Sequence, residues 1–493
     1  MLDAQLNSNT VTVNYVRPKK TDANSQLRLR TLIYPVATTA EVAEKWVARL
    51  INSAYGTAQR RKRIKVLINP FGGAGKAQAI YNKHIGPLFE AAGCTVEVQR
   101  TQHRGHAVEL ARDIDIDRFD VLACASGDGL PMECFNGLGQ KTNALEALRK
   151  IALVQLPCGT GNAMSWNHFG TDEPSVAALC TIKGHSAPMD LASITQGDKR
   201  TLSFLSQSLG IVAESDLGTE NIRWMGDFRF TFGFLVRLIG QTLYPVDYAV
   251  RTVIESKIDI KNHYAREVAR IRASSDSELL EQQKELEVAS PGLPPLKYGT
   301  INDPLPKGDE SGWTQLESYP NLGNFYCGNM CWMAADAPFF PASLPNDGLM
   351  DLVTIDGDIS RLAALNLLLS VSNGTFFDND YVRMRKISAV RVIPRFGRPM
   401  QEVTAQDQIA STGQPAKKPK TGIMSKLFSK MASSGKTGFF SVDGEIMPWE
   451  PFQVEIHRGL GTVISRTPGL YQYEGPKGWQ ETASEPEQAS GSG

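Results

Sequence analysis

The chain has little cysteine, no excess charge of either sign and no long apolar run. Its 493 residues hold seven cysteines and no CxxC pair, which favours buried reduced thiols in a cytosolic protein over a disulfide framework or a zinc site. Lys plus Arg and Asp plus Glu each number 52, so a globally basic nucleic-acid-binding protein is not expected. The longest apolar stretch, residues 362–371, would span only about 15 Å as a helix, and the N-terminus lacks the pattern of a signal peptide.

The remaining composition is that of a folded protein with two or three domains. Hydrophobic residues make up 42% and charged residues 21% of the chain. Residues 1–60 contain two β-like runs, Thr10–Val16 and Leu27–Val36, followed by a helical pattern that places Val42, Trp46 and Leu50 on one face. We interpret this part as an N-terminal extension, a small β/helix element that packs on the next domain.

Residues 62–195 alternate short apolar strands with helices. The predicted strands are Ile64–Ile68, Thr95–Gln99, Val121–Ala125 and Ala152–Leu156. Apolar strands separated by helices are typical of a parallel sheet that is covered on both faces. The sequence therefore predicts an α/β domain with a doubly wound, mostly parallel sheet.

Residues 196–475 have a different sequence pattern, with many β-like runs and few predicted helices between them. This pattern predicts a second domain, a mainly antiparallel β-sandwich. Two insertions rich in charged, Pro, Gly, Ser and Gln residues, 265–312 and 398–437, are predicted to be surface excursions that are partly disordered. The tail, 476–493, has the same composition and is predicted to be disordered.

Three glycine-rich turns each follow a predicted parallel strand. They contain residues 72–75, 126–129 and 159–161. The carboxyl ends of parallel strands lie at one edge of a sheet, where ligands bind, and backbone N–H groups at a following helix favour phosphate. No turn completes a known fingerprint, because Ala77 follows Lys76 where a P-loop needs Ser or Thr, and neither GxG run has its third glycine. Together they indicate one phosphate-binding edge.

One of these turns holds a carboxylate, Asp128, between Gly127 and Gly129. An Asp in a turn often bonds only its own backbone. Phosphoryl transfer, however, needs positioned phosphates, neutralised charge and a carboxylate oriented toward the attacking hydroxyl. In this setting we favour a general base or a substrate-orienting carboxylate.

Taken in order, the motifs resemble those of the diacylglycerol-kinase-type lipid kinases, and more narrowly the sphingosine (sphingoid long-chain-base) kinases of fungi and animals. The resemblance rests on residues 69–76, 126–138 and 156–163, and it extends over about 62–470 without the two insertions. It implies ATP-dependent phosphorylation of the primary hydroxyl of a sphingoid base, with ATP and Mg²⁺ as cofactors. It implies no particular metal ligands.

The resemblance also implies a role for individual residues. Asp128 would be the catalytic base. The substrate would be bound by Ser126, Gly127, Asp128, Gly129 and Asp216. The nucleotide would be bound by Asn69, Pro70, Phe71, Thr101, Gln102, His103, Arg104, Gly105, Glu133, Gly159, Thr160, Gly161, Arg223, Arg229, Asp443, Gly444 and Glu445. A carboxylate such as Asp216 favours an amino-alcohol over a glyceride, because it forms a charge-assisted hydrogen bond with an ammonium.

Several alternatives remain open at this point. Parts of the pattern also fit a diacylglycerol or ceramide kinase, an NAD kinase with a related Gly-Asp-Gly turn, or a non-catalytic lipid-binding protein. The incomplete dinucleotide fingerprints disfavour a nicotinamide oxidoreductase.

A lipid tail needs an apolar cavity, which residues 228–239 and 362–371 with Trp332, Phe339 and Phe340 could line. Residues 415–432 are either a solvated loop or a basic amphipathic helix on anionic lipid. We expect a cytoplasmic protein peripherally associated with intracellular membranes.

Overall fold

The computed structural model describes residues 1–21, 25–72, 75–210, 243–274, 291–306, 308–335, 337–372, 374–395, 440–475 and 479.

The N-terminal extension is a three-stranded antiparallel sheet followed by one helix. The strands are β1 (Asp3–Asn7), β2 (Thr10–Pro18) and β3 (Leu27–Pro35), in that order, and the helix is α1 (Ala40–Tyr55). The face of α1 that carries Val42 and Trp46 is exposed, and the buried residues are Ala43, Val47, Ile51 and Tyr55. Both sets repeat every four residues, so spacing alone does not decide which one faces the core.

A parallel sheet follows, as predicted. Its strands are β4 (Arg63–Ile68), β5 (Thr95–Arg100), β6 (Val121–Ser126) and β7 (Ala152–Pro157), in the order β5-β4-β6-β7. Alternate residues of β4, β6 and β7 belong to two separate apolar clusters. Both faces of the sheet are therefore covered, which confirms the doubly wound arrangement.

Short helices connect these strands. They are α2 (Ala77–Ile80), a π-helical turn (Tyr81–Ile85), α3 (Gly86–Ala91), α4 (His106–Arg112), α5 (Gly129–Gly139), α6 (Ala144–Lys150), α7 (Ala163–Phe169) and α8 (Pro174–Lys183). Helices α4, α5 and α6 pack on one face of the sheet, and α2, α3 and α8 pack on the other.

The second half of the chain is mainly antiparallel, which confirms the predicted strand direction. Its strands are β8 (His185–Gln196), β9 (Lys199–Ser203), β10 (Ser206–Gly210), β11 (Val246–Ile254), β12 (Glu317–Tyr319), β13 (Leu322–Gly328), β14 (Met350–Asp356), β15 (Arg383–Pro394), β16 (Phe440–Val442), β17 (Glu445–Met447) and β18 (Phe452–Ser465). Strand β18 pairs with β8 and β15 antiparallel and with β7 parallel. One sheet therefore continues from the parallel half into the antiparallel half.

Among the described residues, two helices and a short 3-10 turn accompany these strands. They are α9 (Lys257–Ala273), the turn Asp309–Ser311 and α10 (Arg361–Ser372). Part of the predicted excursion 265–312 is fixed to the sheet: α9 continues to Ala273, and the carboxylate of Glu455 accepts hydrogen bonds from the backbone N–H groups of Lys297 (2.9 Å) and Tyr298 (3.0 Å). The predicted insertion 398–437 lies outside the described residues.

Helix α10 contains the longest apolar stretch of the chain. Leu367 and Val371 are buried, whereas Leu362 and Leu369 are 76% and 52% exposed. The helix therefore has both a packed face and an apolar face at the surface. Within the part of the chain that the structure describes, no helix is both long enough and apolar enough to span a bilayer.

Candidate active site

The three glycine-rich turns lie side by side at the carboxyl edge of the parallel sheet. Strands β4, β6 and β7 are neighbours, and hydrogen bonds join their ends: the N–H of Asn69 donates to the carbonyl of Ala125 (3.2 Å), and the N–H of Cys158 donates to the carbonyl of Ser126 (3.1 Å). A Cβ added to Gly159 would lie only 2.4 Å from the Cα of Gly127. The predicted convergence of the turns is confirmed, and glycine is what allows the last two turns to touch.

Asp128 lies at the centre of this group, and its carboxylate points toward the start of α7 rather than into solvent. Its Oδ1 accepts hydrogen bonds from Nε2 of Gln155 (3.1 Å) and from the N–H of Met164 (3.2 Å). The backbone N–H groups of Asn162 and Ala163 also bond the carboxylate. Loss of water around this group raises the pKa of Asp128, and the hydrogen bonds oppose that rise without cancelling it.

Asn162 gives the third turn its shape. Its φ of 52° is left-handed, a conformation that Asn tolerates better than most residues. Its side-chain oxygen accepts a hydrogen bond from the N–H of Gly159 (3.0 Å), and its Nδ2 donates to the carbonyl of Gly159 (3.0 Å). This closed turn directs the first N–H groups of α7 at Asp128. Of the two predicted nucleotide contacts in this turn, Thr160 is exposed, and a Cβ added to Gly161 would lie 3.1 Å from Oδ2 of Asp128.

The first turn begins with Asn69 and Pro70. The side-chain oxygen of Asn69 accepts the N–H of Phe71 (2.9 Å), and the Phe71 side chain is 74% exposed. Gly75 has a φ of 69°, which favours glycine at that position. The turn therefore presents an aromatic ring and a polar side chain at the edge that the other two turns share. Gly73 and Ala74 lie outside the described residues.

The segment 101–105 lies beside this edge, at the end of β5. Thr101 is buried and bonds the carbonyl of Ile68 through its N–H (2.9 Å). The N–H of Gln102 donates to Nδ1 of His106 (3.0 Å). Gly105, with a φ of 81°, leads into α4. This network leaves the side chains of His103 and Arg104 more than half exposed.

Glu133, on α5, holds the segment in place. Its two carboxylate oxygens accept the N–H groups of Gly105 (3.2 Å) and Ala107 (3.2 Å). Burial raises the pKa of Glu133, and these two hydrogen bonds oppose the rise. The described contacts of Glu133 thus fix the start of α4, whereas the sequence suggested a direct nucleotide contact, which stays a prediction.

The motif Asp443-Gly444-Glu445 forms a tight hairpin between β16 and β17. Val442 pairs with Glu445, and the two residues between them have φ values of 50° and 83°, as a type I′ turn requires. The buried carboxylate of Asp443 accepts the hydroxyl of Ser203 (2.6 Å). It also accepts three backbone N–H groups, those of residues 204, 205 and 206, at 2.9–3.0 Å. Asp443 therefore anchors the hairpin to the connection between β9 and β10.

Glu445, in contrast, reaches the edge of the parallel sheet. Its Oε2 lies 2.5 Å from a guanidinium nitrogen of Arg104, and its Oε1 would lie 3.0 Å from a Cβ added to Gly129. The hairpin thus joins the antiparallel half of the protein to two of the predicted nucleotide and substrate segments. Glu445 therefore lies at the site, whereas the carboxylate of Asp443 is bonded to the β9–β10 connection.

Three predicted site residues, Asp216, Arg223 and Arg229, lie outside the described residues, and so does the apolar segment 228–239. Their roles stay predictions from the resemblance.

His103, His106 and Glu109 have possible metal-ligand atoms within 4.8 Å of one another. The two imidazole rings are stacked, with centroids 4.7 Å apart and planes 16° from parallel, so their in-plane lone pairs do not converge on one point. Nδ1 of His106 already accepts the N–H of Gln102. This geometry fits a packed helix start better than a cation site.

Sequence reasoning missed Gln155 as a residue of the site. It lies within β7, is fully buried, and is the only polar side chain in the run Ala152–Pro157. A buried amide without partners costs about 1–3 kcal/mol, so a lone Gln in an apolar strand signals a specific hydrogen-bond partner. That signal was available from the sequence, but the identity of the partner was not.

Comparisons with known proteins identify the domain that contains this site. A sequence profile of the diacylglycerol kinase catalytic domain matches residues 63–194, and a domain of unknown function (DUF7493) matches residues 1–56. The sheet edge with its three turns therefore lies in a catalytic domain of the lipid-kinase class. A putative diacylglycerol kinase from Bacillus anthracis is a similar solved structure, with 15% identity, a TM-score of 0.48, and coverage of 83% of this chain and 97% of its own.

The relatives at the sequence level are more specific. Sphingoid long chain base kinase 5 of Saccharomyces cerevisiae is 34% identical over 92% of this chain and 67% of its own length. Sphingoid long chain base kinase 4 of Schizosaccharomyces pombe is 30% identical over 87% of this chain and 81% of its own length. The chain belongs to the sphingoid long-chain-base kinase family.

Proposed function

We propose that the protein transfers the γ-phosphoryl group of ATP to the primary hydroxyl of a sphingoid long-chain base. The observation that carries the proposal is the Asp128 carboxylate, held at the carboxyl end of β6 beside the glycine-rich turns and fixed by Gln155 and the first N–H groups of α7. The names of the two fungal relatives support the choice of substrate.

In this reaction the hydroxyl oxygen of the lipid attacks the γ-phosphorus, and the bond from phosphorus to the oxygen of ADP breaks. Asp128 takes the hydroxyl proton, which makes the attacking oxygen more nucleophilic. A raised pKa suits this role, because it makes the carboxylate a stronger base. The basic side chains of Arg104, Arg223 and Arg229 are our candidates for binding the phosphates.

Mg²⁺ is the proposed metal, and the donor chemistry of the site fits it. Glu445, whose Oε1 lies beside Gly129, offers a carboxylate oxygen, the kind of ligand that Mg²⁺ prefers together with phosphate oxygens. When bound, the metal would neutralise charge on the triphosphate.

The test of the base is Asp128→Asn, which keeps the shape of the side chain and removes its basicity. We expect phosphate transfer to fall at least about a hundredfold, with ATP binding retained, because general base catalysis is lost. Radiolabelled transfer to sphinganine, phytosphingosine, ceramide and diacylglycerol measures both the rate and the substrate class. Substantial activity of the variant would contradict the base assignment, and transfer only to ceramide or diacylglycerol would contradict the sphingoid substrate.

Recognition of the amino group is the part of the proposal that rests on Asp216. Its carboxylate would bind the ammonium of the sphingoid base through a charge-assisted hydrogen bond. Asp216→Asn should raise KM for sphinganine about tenfold and leave KM for ATP unchanged, since one hydrogen bond to a charged group is worth about 1.5–3 kcal/mol. An unchanged KM for sphinganine would contradict this role.

We also propose contact with the cytoplasmic face of intracellular membranes, where a lipid substrate resides, through residues 415–432. This segment interleaves lysines with Ile, Met, Leu and Phe, and each surface cation adds about 1 kcal/mol of attraction to anionic lipid. Flotation with vesicles of phosphatidylserine and phosphatidylcholine should recover less of a variant that lacks residues 415–432. Equal recovery of both proteins would contradict the role of this segment.

A further inference from the structure

The buried amide of Gln155 bridges the catalytic turn and the first turn of α7. Its Oε1 accepts the N–H of Ser165 (3.0 Å), and its Nε2 donates to Oδ1 of Asp128 (3.1 Å). The backbone N–H of Ser165 can only donate, so the amide oxygen must face it, and the amide nitrogen must then face the carboxylate. The orientation of this side chain is therefore set by its partners.

The two oxygens of Asp128 are not equivalent as a result. Oδ1 carries the hydrogen bonds from Gln155 and Met164. Oδ2 lies next to the third turn, where a Cβ added to Gly161 would come within 3.1 Å of it. The amide thus holds Oδ1 toward α7 and turns the other oxygen toward the glycine-rich edge where the hydroxyl and the triphosphate are proposed to meet.

We propose that Gln155 is a positioning residue for phosphoryl transfer, which orients the Asp128 carboxylate through a direct hydrogen bond. This inference rests on the proposed function, since it assigns Gln155 a role through the base and not through the substrate. The residue is fully buried in the middle of the sheet, so it acts without touching substrate.

The pH dependence of the reaction should report this role. Burial raises the pKa of Asp128, and the hydrogen bond from Gln155 is one of the contacts that lower it. The other ionisable groups around the turn are Glu133 on α5 and the pair Arg104 and Glu445. Strand β7 itself contributes no charge. Removing the amide donor should therefore move the acidic limb of the kcat profile to higher pH.

The experiment compares Gln155→Met with Gln453→Met in the full-length protein, with wild type alongside. Gln453, on β18, is also buried and lies away from the catalytic turn. Its Nε2 donates to the carbonyls of Tyr298 and Gly299, and its Oε1 accepts from Nε of Arg391, so its replacement also removes buried hydrogen bonds. We expect Gln155→Met to lower kcat about 10- to 100-fold, to leave KM for ATP within about twofold, and to move the acidic limb upward by about one pH unit. Gln453→Met should lower the melting temperature and leave the pH profile unchanged.

A second variant keeps the test decisive if Gln155→Met does not fold. Gln155→Glu is close in shape, and it places a second carboxyl beside Asp128, so it should move the acidic limb upward by more than Gln155→Met does. If the folded variants had the kcat of the wild type and an unchanged acidic limb of the kcat–pH profile, the proposed role of Gln155 would be overturned. This outcome is distinct from failure of the proposed function, in which Asp128→Asn itself keeps its activity.

Discussion

Replacing Gly159 with alanine tests the contact on which the arrangement of the active-site turns depends. The added Cβ would lie 2.4 Å from Cα and 2.8 Å from N of Gly127, whereas ordinary van der Waals contact of a Cβ begins at 3.4 Å. Both neighbours are backbone atoms, so the two turns would have to separate by about 1 Å. Overpacking of this kind costs about 1–3 kcal/mol, and a displacement of about 1 Å at a reacting group can lower the rate about a hundredfold.

The matched control is Gly127→Ala, on the other side of the same contact. Its Cβ would lie 3.5 Å from Cα of Gly159, which is ordinary contact, and neither glycine has a positive φ. Alanine also restricts the unfolded chain, so Gly127→Ala should be neutral or more stable by up to about 1 kcal/mol. Urea unfolding of both variants, with radiolabelled transfer for Gly159→Ala, gives the comparison. If Gly159→Ala were as stable as Gly127→Ala and as active as wild type, the argument from the close approach of the turns would be refuted.

Two further predictions concern the hairpin and its partner. Burial raises the pKa of Asp443 to about 6 in the native state, whereas an Asp in the unfolded chain has a pKa of about 3.9. The native state therefore binds the proton more tightly than the unfolded state does. As the pH rises from about 4 to about 7, the protein should lose about 3 kcal/mol of unfolding free energy. Asp443→Asn cannot titrate, and its unfolding free energy should lack this fall; parallel pH dependences of the two proteins would contradict the argument. Arg104→Gln removes an ion pair whose side chains are 78% and 41% exposed, so stability should change by less than about 1 kcal/mol. Its KM for ATP should rise about tenfold if the guanidinium binds phosphate, and an unchanged KM would exclude that contact.

The parallel half of the fold could be predicted because its strands are short apolar runs and three of them end in glycine-rich turns. Each such strand is buried on both faces, so its sequence contains little but apolar residues. The edge strand β5, with Glu97, Gln99 and Arg100, is less apolar, yet its place between two helical patterns sufficed to predict it.

Strands β8 and β11 of the antiparallel half are examples of strands that gave no comparable signal. Strand β8 is buried over most of its length, yet its sequence includes Ser186, Asp190 and Thr195. Asp190 is buried there because its carboxylate accepts the N–H groups of Gly348 (2.6 Å) and Gly459 (2.7 Å). These partners lie more than 150 residues away in the chain, so no local pattern identifies the residue as a core position. Strand β11 also gave no comparable signal, and the residues of its main partner, β15, lie more than 130 residues away in the chain.

The same limit applies to the division of roles within a motif. A sequence motif groups Asp443, Gly444 and Glu445 as one nucleotide-binding unit. A type I′ turn sends the chain back on itself at the middle of the motif, so its first and last residues face different surroundings. Asp443 receives four hydrogen bonds from the β9–β10 connection and has no oxygen turned to the edge of the parallel sheet. Glu445 contacts Arg104, 341 residues away. Variants of the first residue should therefore change stability and its pH dependence, whereas variants of the last should change nucleotide binding, and a motif whose residues all gave the same phenotype would contradict this separation.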